Sequence, residues 1–120
     1  MLPREINNIS DITPLAKLTK LDTIALNSNP IKDLSPLEGL SNLRSLSLKN
    51  CNLKDISSFA KLSKLELLYL GINNISDLTP LKDLPKLRVL YIGANPVTDF
   101  APVSHVKEVI TEDSDYWNYY

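Results

Sequence analysis

Residues 65–86 read LELLYLGINNISDLTPLKDLPK, and the same spacing of leucines, asparagine and aspartate returns 22 residues later. With Leu65 counted as position 1, apolar residues occupy positions 1, 4, 6, 11, 14, 17 and 20 of each unit. The pattern is unbroken in the four units that begin at Leu21, Leu43, Leu65 and Leu87. A short and regular period of this kind predicts a solenoid, in which successive units stack as coils.

The repeats divide the chain into three parts. Residues 1–20 form a partial N-terminal repeat, residues 21–108 hold four complete repeats, and residues 109–120 are a C-terminal cap or tail. In this frame Val109 takes position 1 of a further unit, but Glu112 and Ser114 then place polar groups where a fifth strand needs apolar ones. The 22-residue frame therefore places no apolar side chains at the inward positions that a fifth strand would need.

Each unit predicts one strand and one helical turn. Positions 3 to 7, such as TIALN at 23–27, alternate outward and inward side chains as a β-strand does. Stacked units then form a parallel sheet along the concave wall, with strands about 4.8 Å apart. The return segment, such as DLTPL at 77–81, has Ser or Thr before Pro, which predicts an N-cap and a first helical residue. These convex turns, helical or 3₁₀, are expected to end near Leu18, Leu40, Leu62, Leu84 and Val106.

Composition narrows the function classes. The net charge is -1 with 22% charged residues, so no bulk field attracts nucleic acid or an anionic membrane. The single cysteine excludes an internal disulfide framework. No run approaches the roughly 18 apolar residues of a membrane helix, and the start MLPREINNIS lacks the apolar core of a secretory signal. As written, the chain is expected to be soluble and cytoplasmic.

The unit L-x-x-L-x-L-x-x-N-x-I-x-D-[IL]-[ST]-P-L-x-x-L resembles the 22-residue leucine-rich repeat of bacterial internalins and of SDS22-like phosphatase regulators. The resemblance implies an α/β right-handed arc that binds proteins on its concave face, with no cofactor and no catalysis. Internalins also carry a helical cap and an immunoglobulin-like module, whereas this chain begins inside a unit. Three interpretations stay open: a fragment of a larger cell-surface or secreted protein, a truncated gene product, or a protein that associates end to end.

Several polar residues recur in columns, and each has a structural interpretation. Asparagine at position 9 is expected to bond the backbones of adjacent coils; it recurs at Asn7, Asn29, Asn73 and Asn95, with Cys51 in the remaining slot. Aspartate at position 13 is expected to form turns rather than bind calcium; it recurs at Asp11, Asp33, Asp55, Asp77 and Asp99. Position 2 alternates in charge from coil to coil, at Asp22, Arg44, Glu66 and Arg88. We interpret this charge ladder as support for the register of the strands, and the alternative is contact with a charged partner.

Two residues that often perform catalysis are assigned to the scaffold. Cys51 is interpreted as a buried structural thiol, since no second cysteine exists to make a metal cluster. His105 is interpreted as a solvated surface imidazole, although the 22-residue spacing places Asp83 and Ser63 at a similar level on the preceding coils. The sequence therefore predicts no catalytic site and no metal site.

The concave wall carries the functional prediction. Its first two strands present small polar groups, whereas the next two present apolar and aromatic side chains beside glycines. Such a cluster has the composition of a protein interface core, with cross-strand packing as the alternative interpretation. The candidate protein-binding residues are Leu67, Tyr69, Ile72, Val89, Tyr91 and Lys49.

The tail and the function as a whole each leave alternatives open. The aromatic tail SDYWNYY, residues 114–120, is interpreted as a cap, the start of a next domain, or a partner contact. The predicted function is a non-catalytic scaffold that binds a protein or peptide. The alternative is a structural spacer or fragment whose activity lies in regions absent from this chain.

Overall fold

The computed structural model describes residues 9–112, which fold into a solenoid with a parallel sheet on one side and short 3₁₀ turns on the other. The strands are β1 Thr23–Ala25, β2 Ser45–Ser47, β3 Leu67–Tyr69, β4 Val89–Tyr91 and β5 Glu108–Ile110. The 3₁₀ turns are Thr13–Lys17, Ser35–Leu37, Ser57–Phe59, Thr79–Leu81 and Ala101–Val103. The strand order follows the sequence, so each coil lies beside the preceding one, and the predicted solenoid is confirmed.

One apolar interior runs through all the coils. Leu46, Leu68 and Leu90 stand in register on neighbouring strands, and none of them has exposed surface. The column begins at Ile24, which is also fully buried, and ends at Val109, which is only partly buried. Side chains of the middle coils are covered on both sides by their neighbours, which is how a coil without a core of its own becomes stable.

The last coil is three residues shorter than the 22-residue frame predicts. Thr23 pairs with Ser45, 22 residues further along, whereas Val89 pairs with Glu108, 19 residues further along. The earlier coils make a turn between position 20 and the strand, and the last coil omits it. The assignment of Val109 to position 1 was therefore wrong.

Hydrophobic burial accounts for the shorter coil. The shift brings Val109 beside Leu90, so that an apolar side chain faces the interior. The 22-residue frame would instead direct the carboxylate of Glu112 inward, and burial of an unpaired charge is strongly unfavourable. The chain gains a fifth strand by this shift, and Ile110 follows on the outward face beside Tyr91.

The division of the chain at residue 108 stays a prediction, and the aromatic tail, residues 114–120, lies outside the described residues.

The asparagine column connects the coils through their backbones, as predicted. Asn73 Oδ1 accepts hydrogen bonds from the backbone N–H groups of Cys51 (2.9 Å) and Leu53 (3.0 Å). Its Nδ2 donates to the carbonyls of Leu48 and Leu70, both at 3.0 Å. A side chain with less than a tenth of its surface exposed thus bonds four backbone groups at this corner, and the carbonyl of Leu70 also accepts from Asn95 Nδ2 at 2.8 Å. The same position in two other coils holds Asn29 and Asn95, whereas Asn7 lies outside the described residues.

The aspartate column forms the turns that lead into the 3₁₀ segments. Asp77 Oδ1 accepts the backbone N–H of Thr79 at 2.9 Å, which confirms the predicted turn-forming role. The same bond recurs in the pairs Asp11–Thr13, Asp33–Ser35, Asp55–Ser57 and Asp99–Ala101. The predicted Ser/Thr N-cap was wrong, because the carboxylate binds the first free N–H and the chain enters the 3₁₀ turn at Ser or Thr itself. The four later turns also end three residues before the predicted ends at Leu40, Leu62, Leu84 and Val106.

We expect Asn73→Ala to destabilise the protein by roughly 3–5 kcal/mol, because buried N–H groups of Cys51 and Leu53 then lose their acceptor. Urea unfolding followed by circular dichroism measures the change. The matched control is Asn74→Ala, since Asn74 is exposed and its amide bonds only another exposed side chain, that of Asn52. The control is expected to change stability by less than about 0.5 kcal/mol. Equal losses in the two variants would contradict the role of the column.

Acid is expected to weaken the turns. Hydrogen bonds from the Thr79 side chain and backbone lower the pKa of Asp77 below its usual value. Because the folded pKa is lower than the unfolded one, this stabilisation is complete above about pH 4 and is lost as the pH falls through the folded pKa. The melting temperature should therefore fall less between about pH 5 and pH 2 in Asp77→Asn than in the wild-type protein.

The control for this experiment is Asp83→Asn, because Asp83 is exposed and makes no hydrogen bond to another described residue. Its acid sensitivity should match that of the wild-type protein. If the two variants changed the acid sensitivity equally, the turn bond would not be the cause.

Candidate functional site

The outward face of the sheet has a polar half and an apolar half. The polar half, on β1 and β2, presents Thr23, Ala25, Ser45 and Ser47. The apolar half, on β3 and β4, presents Leu67, Tyr69, Val89 and Tyr91. Four of the six predicted binding residues are thus brought together in two directly opposed pairs, Leu67 with Val89 and Tyr69 with Tyr91.

The two tyrosines form a ring pair at the centre of the apolar half. Their ring centroids lie 4.8 Å apart and their planes are tilted by 32°. An aromatic pair at this separation contributes about 0.5–1.5 kcal/mol beyond the burial of the rings. Tyr69 is half-buried, but Tyr91 keeps only 9% of its surface exposed. The expectation of exposed aromatics therefore holds for Tyr69 better than for Tyr91.

Ile110 extends the apolar half and was missed by the sequence analysis. It pairs with Tyr91 across β4 and β5 and is half-buried. The 22-residue frame hid it, because that frame began a new unit at Val109. The adjacent apolar pair Val109 and Ile110 was the available signal, since neighbouring residues of a strand face opposite sides.

Ile72 lies just beyond β3 and has an unusual backbone. Its φ is 58°, in the left-handed region that a β-branched residue rarely adopts. Its backbone N–H donates to the carbonyl of Gly93 at 2.9 Å, which holds it against the next coil. The side chain is 40% exposed, so burial does not explain an isoleucine here. The equivalent position in other coils holds Ser28, Asn50 and Ala94, all at positive φ.

Lys49 lies on the polar half, next to a buried amide. Asn27 Oδ1 accepts hydrogen bonds from the backbone N–H of Lys49 (2.8 Å) and from the hydroxyl of Ser47 (2.7 Å). The Nδ2 of Asn27 is buried and has no hydrogen-bond partner among the described residues. Burial lowers the pKa of Lys49, and no carboxylate among residues 9–112 forms an ion pair with it. Lys49 therefore brings an uncompensated positive charge to the border of the apolar half.

The charge ladder at position 2 is formed by three of its four members. Glu66 binds Arg44 Nε at 2.8 Å and Arg88 Nε at 3.4 Å. The hydrogen bond from Arg44 is the main cause that lowers the pKa of Glu66. Asp22 instead accepts a hydrogen bond from the hydroxyl of Thr23 at 3.1 Å. The bridges join neighbouring coils, as predicted for a register ladder.

Cys51 and His105 occupy scaffold positions. The Cys51 thiol is fully buried, donates to the carbonyl of Leu26 at 3.2 Å, and has its pKa raised by burial, which disfavours a reactive thiolate. His105 is exposed, and its Nε2 lies 3.1 Å from the carbonyl of Leu84. In the part of the chain that the structure describes, no three His, Cys, Asp or Glu side chains come together to hold a metal ion.

The family of the chain follows from its comparison with known proteins. The family model described as leucine-rich repeats matches residues 41–83 and 65–105, which together exceed half of the chain. The chain belongs to the leucine-rich repeat family. No curated protein sequence matches it significantly. Leucine-rich repeat proteins generally act as protein-interaction scaffolds, and internalin-like members are typically not enzymes.

Solved leucine-rich repeat structures support an internalin-like arc. Internalin C2 of Listeria monocytogenes is 38% identical with a TM-score of 0.83, over 88% of this chain and 48% of its own. An internalin (inlF) of the same species is 35% identical with a TM-score of 0.82, over 87% and 32%. A leucine-rich repeat protein of Leptospira interrogans is 25% identical with a TM-score of 0.76, over 85% and 29%. This leucine-rich repeat chain thus spans less than half of each of these proteins.

No membrane-spanning helix is found in the leucine-rich repeats. Among residues 9–112, no helix has the length and apolar character needed to cross a bilayer.

We expect Ile72→Asn to stabilise the leucine-rich repeats by about 1 kcal/mol, because asparagine tolerates the left-handed conformation better than isoleucine does. Asn50 already occupies the equivalent position of another coil with a φ of 56°. Urea unfolding measures the difference, and Ser76→Asn, which places asparagine at an exposed residue without a positive φ, is the control with little change expected. Lower stability of Ile72→Asn would show that the isoleucine side chain supports the fold.

Proposed function

We propose that this chain is a non-catalytic scaffold that binds a protein or peptide on its concave face. The binding site is centred on Tyr69 and Tyr91. Around them the site includes Leu67, Val89, Ile72 and Ile110, with Lys49 at its border.

The supporting observation is that the fold does not require apolar residues at these outward positions. In β1 and β2 the same positions hold Thr23, Ala25, Ser45 and Ser47, and those coils stack in the same register. Leu67, Tyr69 and Val89 therefore add partly exposed apolar surface that the other coils do without, whereas Tyr91 is largely buried and packs against Tyr69. Large apolar groups on a shared outward face are typical of the centre of a protein interface.

The chemistry of the surface indicates the kind of contact that it makes. Tyrosine supplies a large, rigid and amphipathic contact area at little entropic cost. Leu67 and Val89 are half-buried and extend the apolar area along the strands. Lys49 places a cation at the polar rim, where charges mainly guide the approach and orientation of a partner.

The competing function is that of a spacer within a longer protein. It is favoured by the observation that the chain spans only 48% and 32% of the two internalin structures. A spacer needs no outward apolar cluster, so the two functions differ in what they predict for the tyrosine pair.

Site-specific photocrosslinking separates the two functions. A benzophenone amino acid at Val89 on the concave face is compared with one at Ala60, which is exposed after the third 3₁₀ turn. We expect a defined protein from an extract of the source cells to crosslink at the Val89 position only. Changing Tyr69→Ser and Tyr91→Ser together should reduce that crosslink at least about tenfold, the loss expected for an interface centre.

The matched control is Thr23→Ala with Ser45→Ala on the polar half, which should leave the crosslink unchanged. Circular dichroism shows whether each variant is folded. Equal crosslinking at Ala60, or a crosslink that survives loss of both tyrosines, would favour the spacer.

A further inference from the structure

Positive side chains gather along the edge of the sheet at which the strands begin. We call this set the basic edge, and all its members are exposed. It consists of Lys20, Arg44, Lys64, Lys86, Arg88 and Lys107.

Backbone bonds between the coils align the basic edge. The N–H of Glu66 donates to the carbonyl of Arg44 at 2.8 Å, and the N–H of Arg88 donates to the carbonyl of Glu66 at 3.0 Å. The bond from Glu108 N to the carbonyl of Arg88, at 2.9 Å, continues the row and brings Lys107 next to Arg88. The short last coil causes this last juxtaposition, since the 22-residue frame would put Ile110 there instead.

The two edges of the sheet carry opposite charge, although the whole chain has a net charge of only -1. Asp22 and Glu66 lie within the rows of the basic edge, and Asp83 and Glu108 border it. The opposite edge, where the chain runs from the strands towards the 3₁₀ turns, holds two exposed lysines, Lys32 and Lys54, among the five aspartates Asp11, Asp33, Asp55, Asp77 and Asp99. The small net charge therefore hides a charge separation across the sheet, and local fields of this kind steer charged partners.

The arginines of the basic edge keep donors available. Arg44 and Arg88 each use Nε to bind Glu66, which neutralises that carboxylate, while their side chains stay 62% and 57% exposed. Their Nη groups make no hydrogen bond to the described residues. A guanidinium group fixed at one nitrogen with its remaining donors exposed is suited to bind a carboxylate.

We propose that the basic edge binds an acidic segment of a protein partner. Neighbouring coils are about 4.8 Å apart, and Asp22 and Glu66 interrupt the rows of positive side chains. The separate carboxylates of a peptide can pair with individual cations and avoid these two acidic residues. A nucleic-acid backbone or a lipid surface presents continuous negative charge and meets those carboxylates. A groove of about 210 Å³ joins this edge to the outward face of the sheet. It is lined by Asp22, Arg44, Glu66 and Arg88 together with Thr23, Ser45 and Leu67. The proposal does not depend on the tyrosine site.

Fluorescence anisotropy with a labelled octaglutamate peptide at low salt tests the proposal. We expect Lys64→Glu with Lys86→Glu to weaken binding at least about tenfold, and added salt to weaken wild-type binding. The matched control is Lys32→Glu with Lys54→Glu, which changes the net charge equally on the opposite edge and should change binding less than about twofold. The Tyr69→Ser, Tyr91→Ser variant should bind the peptide as the wild type does, which keeps this result separate from the proposed function.

Three outcomes would overturn the proposal. The first is no wild-type binding to the peptide, and the second is equal weakening by both pairs of lysine variants. The third is tighter binding, with the same dependence on Lys64 and Lys86, to a single-stranded oligonucleotide, to phosphatidylserine vesicles, or to a second copy of the chain in sedimentation at low salt.

Discussion

Every feature of this molecule depends on the fact that no coil has a hydrophobic core of its own. Leu46, Leu68 and Leu90 are fully buried only because each lies against its equivalents in the adjacent coils. Ordering 22 residues costs more conformational entropy than one coil's apolar side chains recover by burial, so stability comes from the stacking. The stacking in turn fixes the register that aligns outward side chains into continuous surfaces.

The polar columns make this stacking specific. Leucines alone would allow neighbouring coils to slide, because apolar contact has little directionality. Asn73 prevents sliding, since its amide bonds Cys51 N on the preceding coil and the carbonyl of Leu70 on its own coil. The Asp77 carboxylate acts within its own coil, where it sets the entry into the 3₁₀ turn. Inter-coil register and turn geometry thus depend on different side chains of the same repeat.

The sequence predicts most of the fold because the same pattern of apolar and polar residues recurs in every unit. Each recurrence independently supports the same strand and the same turn. The pairing of Tyr69 with Tyr91 also follows from spacing, since residues 22 apart on neighbouring coils are opposed. The short last coil did not follow, because a period read from earlier units cannot show where burial of Val109 outweighs regular length. The buried Nδ2 of Asn27 and the positive φ of Ile72 depend on side-chain packing and backbone geometry, which residue spacing does not describe.

The repeat also provides an internal control for function, because positions that the fold constrains are the same in every coil. Positions that differ are free to serve something else. The position of Ile72 holds Ser, Asn and Ala in other coils, so stacking does not require isoleucine there, and its conformation disfavours it. The outward pair Tyr69 and Tyr91 likewise replaces the small residues Ala25 and Ser47. Departures from the repeat that place apolar side chains on one side of the arc are therefore the basis of the proposed binding site, because stacking in the other coils does without them.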